Sequence, residues 1–170
     1  MIWNRIFRKA AALPRDAGWW QAALAAEASP TAEAIASLRD GLAPPSTPDD
    51  RERQEEMLDG LERLAALTAG SLEVVETQHR VVGTDVCHMV APACLIGLTD
   101  EPGKLFITSR RLIHTGTAMR AWPWHRIGGV DRTERALEVT IIGAPDTVNL
   151  VCNSYGDAMT AAHLARRFGR

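Results

Sequence analysis

The sequence predicts an α+β protein in which a helical segment precedes a β-sheet. Composition changes near Gly70, because the earlier residues are rich in Ala, Leu, Glu and Arg and the later ones in Val, Ile, Thr and Gly. The first set favours helices and the second favours strands. Two short apolar runs between Gly103 and His114 meet at a polar, basic pair, which is typical of a β-hairpin. The chain closes on apolar residues at helical spacing, so a final helix is expected.

Helical periodicity and end signals divide residues 1–70 into four helices. Pro14 should end the first of them, because proline cannot continue a helix. Ser29 before Pro30 marks the start of the third helix. Thr47 before Pro48 is typical of a capped helix start. The helices are expected over residues 2–13, 19–27, about 30–40 and 48–69, with a Pro-rich linker near 43–48.

The part of the chain after Gly70 contains alternating and apolar runs of strand character. One of these runs contains Gly128 and Gly129, which are expected to form a bulge or a close-packed bend. A last helix should follow, with its apolar stripe ending at Phe168. The candidate strands are 72–77, 86–90, 93–98, 104–109, 111–115, 118–122, 127–132, 137–142 and 147–152.

A short residue pattern in the predicted hairpin, and the order of the elements after it, are similar to those of a known family. It consists of Gly103, Leu105, Thr108, Arg111 and Leu112, and it is followed by an aromatic strand, an Ile strand, an alternating strand, a further strand and a helix. Over about residues 71–170 the chain resembles the GRAM and bacterial PH-like domain family. The resemblance implies a PH-like (GRAM-like) antiparallel β-barrel with a C-terminal capping helix, here behind the α-helical N-terminal segment.

The resemblance also bears on strand number and on function. A PH-like barrel needs seven strands, so at least two of the candidate strands are expected to be loop or wrongly paired. The family's roles are mostly non-catalytic, namely recognition of lipid head groups or contact with proteins. Fold alone does not choose between these roles.

Charge and composition narrow the classes of partner. A net charge of −2 disfavours a protein that coats a nucleic acid, because neutralising phosphates needs a surplus of Lys and Arg. No apolar run approaches the roughly 20 residues that cross a bilayer. The three cysteines have no scaffold-like density, which suits a reducing compartment. We therefore expect a protein that is cytoplasmic, or peripheral at the inner face of the membrane. Lys9 and Lys104 are the only lysines, while Arg and Ala are abundant, a bias expected of a GC-rich bacterial genome.

The sequence places one group of basic and aromatic residues at a single end of the sheet. Alternate turns of an antiparallel meander fall at the same end, so the turn at 109–110 should lie beside 124–126. That end collects Arg110, Arg111, Trp124 and Arg126, a set that would suit an anionic lipid surface. The alternative interpretation is solvated loop arginines. The family resemblance implies that a phosphoinositide-binding member would cluster basic residues in the first hairpin. That region offers only Arg80 here, which disfavours high-affinity phosphoinositide binding.

The predicted N-terminal helix is the second candidate contact surface. Its aromatic residues lie on one face and its basic residues on the other, which is typical of a helix at a membrane interface. The alternative is that its apolar stripe packs on the other helices, on the barrel or on a partner. The candidate contact residues are Trp3, Arg5, Phe7, Arg8 and Lys9.

Catalytic and metal sites receive little support from the sequence. His79, Cys87, His88 and Cys94 have no zinc-finger spacing, and a strand would place Cys87 and His88 on opposite faces. No nucleophile elbow, phosphate loop or dinucleotide glycine pattern occurs. We therefore expect no metal, cofactor, catalytic residue or small-molecule substrate.

The sequence as a whole predicts a non-enzymatic binding or adaptor module that recognises a protein partner or a second copy of itself. The alternative is peripheral binding to anionic membrane lipid, through the N-terminal helix and the basic end of the barrel.

Overall fold

The computed structural model describes residues 17–42, 47–70 and 72–169. Within these residues three helices come first, then seven strands and a fourth helix, and a 3-10 turn (Trp124–Arg126) joins β4 to β5. The elements are α1 (Ala17–Ala28), α2 (Ala32–Asp40), α3 (Pro48–Ala69), β1 (Cys87–Ile96), β2 (Glu101–Thr108), β3 (Arg111–Thr115), β4 (Met119–Pro123), β5 (Ile127–Thr133), β6 (Ala136–Ile141), β7 (Val148–Cys152) and α4 (Tyr155–Phe168). The helix predicted over 2–13, with its candidate contact residues, lies outside the described residues, as does most of the linker.

The helix starts follow local capping chemistry. Thr47 Oγ1 accepts a hydrogen bond from the Asp50 amide at 3.1 Å, so the predicted start of α3 is confirmed. The predicted start of α2 at Ser29 is wrong by two residues, because Thr31 Oγ1 accepts from the Ala34 amide at 3.2 Å. Ser29 instead donates its amide to the Ala26 carbonyl at 3.1 Å and so closes α1.

Two of the predicted strands are parts of one long strand, and another is not a strand. The runs 86–90 and 93–98 form β1, which continues through Pro92. The pairing of β1 with β7 begins one residue later, at Ala93 with Cys152. Proline is tolerated at position 92 because no amide hydrogen is required there for a hydrogen bond to β7. The run 72–77 bonds to β1 through the Val75 amide, which reaches the Cys87 carbonyl at 2.8 Å, and it forms no ladder.

The seven strands form one antiparallel sheet in the order β4-β3-β2-β1-β7-β6-β5. It consists of two meanders, β1–β4 and β5–β7, joined by the pairing of β1 with β7, and the strands are followed by a helix as the sequence predicts. The prediction of a closed barrel is wrong, because β4 and β5 lie at opposite edges of the sheet and do not pair in the described part of the chain. Between them the core is completed by Trp124 and by the apolar face of α4, whose buried residues pack with the inner faces of the strands.

The N-terminal helices pack on α4. Gly60 of α3 crosses Gly156 of α4 so closely that a Cβ at position 60 would lie 2.9 Å from the Gly156 Cα. Around this crossing Met57, Leu61 and Met159 are buried in a second apolar cluster. An ion pair between Glu56 and Arg135 at 2.8 Å connects α3 to the β5–β6 turn. The helical layer is therefore attached to the sheet through α4 and this turn.

Candidate binding surface

Thr108 organises the hairpin turn that the sequence predicts. Its hydroxyl accepts the amide hydrogens of Arg110 (3.2 Å) and Arg111 (3.0 Å) and lies 2.9 Å from the Arg111 carbonyl, to which it donates. Thr108 itself is fully buried. A side-chain oxygen at this position satisfies the turn's own backbone amides. The threonine of the family-like pattern therefore has a structural role.

The two arginines of this turn bind an internal carboxylate. Asp85, whose side chain is 5% exposed, accepts a hydrogen bond from Arg111 Nε at 2.8 Å. Its other oxygen lies 3.8 Å from Arg110 Nε. Arg111 also reaches the Val81 carbonyl at 3.4 Å through Nη2. An anionic ligand at Arg111 would therefore have to compete with a carboxylate already in place, and this arrangement favours a structural role over lipid contact.

Trp124 lies where the sequence places it along the chain, but its ring points inward. Its amide donates to the Arg110 carbonyl at 3.1 Å, so the two turns do share one end of the sheet. The side chain is 6% exposed and its Nε1 donates to the Thr108 carbonyl at 2.9 Å. The ring stacks on Phe168 of α4 at 5.7 Å between centroids. Trp124 thus joins the C-terminal turn of α4 to the sheet.

The remaining predicted basic residues are separated. Arg126 is exposed and donates through Nη2 to the Ile142 carbonyl at 3.4 Å. Arg80 lies in a turn before β1, not in a hairpin, because the first hairpin is β1–β2. The β1–β2 turn (97–100) carries Asp100 and no basic residue, and Glu101 beside it pairs with Arg120 at 2.8 Å. Ligand binding by the predicted residues stays a prediction.

A second surface, which the sequence does not single out as a binding site, lies between β5 and the end of α4. A cavity of about 260 Å³ opens there against the backbone of β5, the outermost strand of the sheet. The Val130 carbonyl faces out of the sheet, since Arg166 Nε of α4 donates to it at 3.0 Å. The lining residues are Ile127, Gly128, Gly129, Val130, Ala165, Arg166 and Gly169. We call this surface the β5–α4 groove.

Two glycines open the groove. The pairing of β5 with β6 shifts register between Ile127 and Gly129, so the predicted bulge is confirmed. The alternative of a close-packed bend is not found at Gly129, where a Cβ would meet no atom within 4 Å. Gly129 therefore leaves space beside the strand. The far wall is the last turn of α4, which Trp124 and His88 hold in place through ring contacts with Phe168 at 5.7 and 5.1 Å.

The cysteines are buried thiols of low reactivity. Burial raises the pKa of Cys87 and Cys94, and it raises that of Cys152 to about 12. Neutral thiols are poor nucleophiles and poor metal ligands. The imidazole of His88 is bonded elsewhere, since its Nδ1 lies 2.9 Å from the Glu73 carbonyl. Among the described residues, no three His, Cys, Asp or Glu side chains converge in a way that could hold a metal ion.

His114 predicts a pH dependence of stability. The side chain is fully buried on β3, its Nε2 lies 3.3 Å from the Ala93 carbonyl, and its Nδ1 has no hydrogen-bond partner in the described residues. Burial lowers the pKa of His114 below the usual 6.5, against smaller opposing effects of the Ala93 carbonyl and Glu101. His114 therefore binds a proton more readily in the unfolded chain than in the folded protein, so the stability of the fold decreases as the pH drops through about 6.5.

This pH effect is measured by urea unfolding at about pH 7.5 and about pH 5.5. Up to about 1.4 kcal/mol of unfolding free energy should be lost through His114 over that interval, because the unfolded histidine then gains its proton. The His114→Gln variant should lose correspondingly less. His125→Gln, at an exposed histidine, is the control and should behave like the wild type. Equal pH slopes in wild type and His114→Gln would contradict this account.

No described helix is both long and apolar enough to cross a membrane. Comparison with known proteins finds no matching family model and no similar curated protein. Solved structures with similar arrangements include the C-terminal domain of an unknown protein from Leishmania infantum, which is 17% identical, covers 53% of this chain and 90% of its own, and has a TM-score of 0.45.

Two further similar structures contain DH and PH domains. The DH/PH domain of human ARHGEF11, in a ternary complex with human RhoA and its inhibitor, is 12% identical, covers 87% of this chain and 53% of its own, and has a TM-score of 0.45. The linker-DH/PH domains of p115-RhoGEF are 9% identical, cover 86% of this chain and 54% of their own, and have a TM-score of 0.43. This chain thus spans about half the length of these DH/PH chains. These TM-scores and identities are too low to assign a function.

Proposed function

We propose that the chain is a non-catalytic, PH-like binding module that takes an extended segment of a protein partner into the β5–α4 groove. The PH-like part of the proposal is supported by the seven-stranded antiparallel sheet followed by α4, which is the element order that the family resemblance implies. The binding part is supported by one observation above all. An edge strand, β5, lies open beside a cavity of about 260 Å³.

An extended segment is the occupant that an open strand edge favours. Edge strands carry outward amide and carbonyl groups, and a partner strand can satisfy them with main-chain hydrogen bonds. In an antiparallel strand the amide and carbonyl of one residue point to the same side, so the Val130 amide faces outward with its carbonyl. A segment along β5 would bond the outward Val130 amide, would displace Arg166 from the Val130 carbonyl, and would place a side chain in the cavity beside Gly129.

Charge around the groove favours a segment with carboxylate side chains. Arg126 lies immediately before β5, and Arg166 and Arg167 lie in the last turn of α4; all three are exposed. Asp131 is the exposed acidic residue farther along β5. Positive charge at the entrance steers acidic partners and adds a salt-dependent contribution to binding.

The test is a selection of extended peptides from a random displayed library on the full-length protein. Selected peptides are then measured against Gly129→Leu, which adds bulk at a groove-lining residue where a Cβ meets no atom within 4 Å. Binding should weaken at least about tenfold, or ~1.4 kcal/mol. Thr133→Leu, at an exposed residue of β5 that does not line the cavity, is the matched control and should bind as the wild type does.

Two outcomes would count against this function. Peptides that bind wild type and Gly129→Leu equally would move the site away from the groove. Failure to select any peptide, together with salt-sensitive sedimentation on anionic vesicles, would favour the lipid alternative and the exposed Arg126 and Arg110.

A further inference from the structure

The arginines beside the β5–α4 groove differ from most others that the structure describes. Nine arginines elsewhere in the described residues each lie within 4.0 Å of an Asp or Glu oxygen. Arg126, immediately before β5, and Arg166 and Arg167, in the last turn of α4, have no such partner there, and neither has Arg80 in the turn before β1. The groove therefore collects guanidinium groups that no described carboxylate neutralises.

Arg166 is the arginine that lines the cavity, and a single backbone group holds it there. Its Nε donates to the Val130 carbonyl at 3.0 Å, and its guanidinium makes no other hydrogen bond or ion pair within the described residues. A guanidinium carries further N–H donors on both Nη atoms. Arg166 thus presents unused donors to the groove while it is bonded to β5.

The carbonyl that Arg166 occupies is one that an added strand would need. The two residues Glu134 and Arg135 connect β5 to β6, so the first pair of the ladder, Thr133 with Ala136, is hydrogen-bonded. Hydrogen-bonded and non-hydrogen-bonded pairs alternate along an antiparallel ladder, which directs the amide and carbonyl of Val130 away from β6. Arg166 therefore covers one outward group of an edge strand, and a partner strand has to replace it.

We infer that Arg166 selects the partner segment by exchanging the Val130 carbonyl for a carboxylate. The inference rests on the proposed function and names the partner class, an extended segment with an Asp or Glu side chain beside the amide that bonds Val130. That amide takes over the Val130 carbonyl, and the released guanidinium binds the carboxylate. The exchange replaces a bond to a neutral acceptor with a charge-assisted, bidentate pair. A segment with a neutral side chain displaces Arg166 and gains no such pair, so it binds more weakly.

The test compares a selected peptide with the same peptide in which each Asp or Glu is changed to Asn or Gln. Wild type should prefer the acidic form at least about tenfold, and Arg166→Met should reduce that preference below about threefold. Arg166→Met should also bind the neutral peptide more tightly than wild type does, because no donor then has to leave the Val130 carbonyl. Loss of a general positive charge alone would not produce this gain.

The matched control is Arg167→Met. It removes the same charge from the next residue, whose side chain does not line the cavity, and it should retain most of the preference for the acidic peptide. Equal loss of preference in Arg166→Met and Arg167→Met would overturn the inference, because the preference would then come from the general charge at the end of α4.

The variant Gly129→Leu separates failure of this inference from failure of the proposed function. Suppose that Gly129→Leu weakens peptide binding but wild type and Arg166→Met prefer the acidic form equally, or the selected peptides lack Asp and Glu. Either result would overturn the role of Arg166 and leave the groove as the binding site. Binding that Gly129→Leu does not weaken would contradict the proposed function, and the inference with it.

Discussion

Replacing Trp124 with alanine is expected to lower the unfolding free energy by about 3–5 kcal/mol, the range for a large buried aromatic. The side chain is 6% exposed, its Nε1 bonds the Thr108 carbonyl at 2.9 Å, and its ring stacks on Phe168. The truncation would leave a cavity and an unpaired carbonyl where α4 meets the sheet. Urea unfolding followed by circular dichroism measures the loss.

Two companion variants locate the effect. Trp124→Phe keeps an aromatic ring but loses the indole N–H, so it should cost less than alanine and more than about 1 kcal/mol. Trp122→Ala, at a half-buried tryptophan of β4, should cost less than Trp124→Ala. Equal losses in Trp122→Ala and Trp124→Ala would contradict the central position of Trp124. Trp124 does not line the groove; it stacks on Phe168, which precedes the groove residue Gly169. Trp124→Phe is therefore expected to weaken peptide binding less than Gly129→Leu does.

Replacing Gly103 with alanine is expected to cost about 3 kcal/mol or more, because the added atom overpacks the contact between β2 and the end of β3. A Cβ at this position would lie 1.9 Å from the Thr115 carbonyl oxygen and 2.6 Å from its carbon. Both atoms belong to backbone, so the strands themselves would have to move apart. Thermal unfolding of the purified variant measures the loss, and failure of the variant to fold is the extreme form of the same result.

The control for this prediction is another strand glycine. Gly129→Ala adds a Cβ that meets no atom within 4 Å, so its unfolding free energy should change by no more than about 0.5 kcal/mol. A Gly103→Ala protein as stable as Gly129→Ala would show that β2 and β3 accommodate the methyl group, and would remove the steric reason for glycine here.

The hairpin pattern could be predicted because its residues act on near neighbours in sequence. Thr108 caps its own turn and Leu112 follows it into the core. Gly103 relieves a contact with Thr115 twelve residues on. Each of these interactions joins residues that lie within about a dozen positions of one another in the sequence. The roles are structural, however, and the pattern therefore predicts the fold better than it predicts a ligand.

Other features could not be predicted because they depend on residues far apart in sequence. Pro92 separates two predicted strands, but it is tolerated because β7, some sixty residues later, begins pairing at Ala93. Trp124 has an amphipathic side chain that suits either an interface or a core. Its contacts with the Thr108 carbonyl and with Phe168, at the end of α4, decide between them. The β5–α4 groove could not be predicted for the same reason, because its walls come from residues 127–130 and 165–169, which are far apart in sequence.

The most direct test of a groove that binds extended segments is the exchange rate of the Val130 amide, with and without a selected peptide. In the free protein this amide faces outward from an edge strand, so it should exchange faster than the Leu137 amide of the interior strand β6. Bound peptide should slow Val130 at least about tenfold while leaving Met119 of the other edge strand, β4, unchanged. Peptide binding that leaves the Val130 rate unaltered would contradict strand addition at β5.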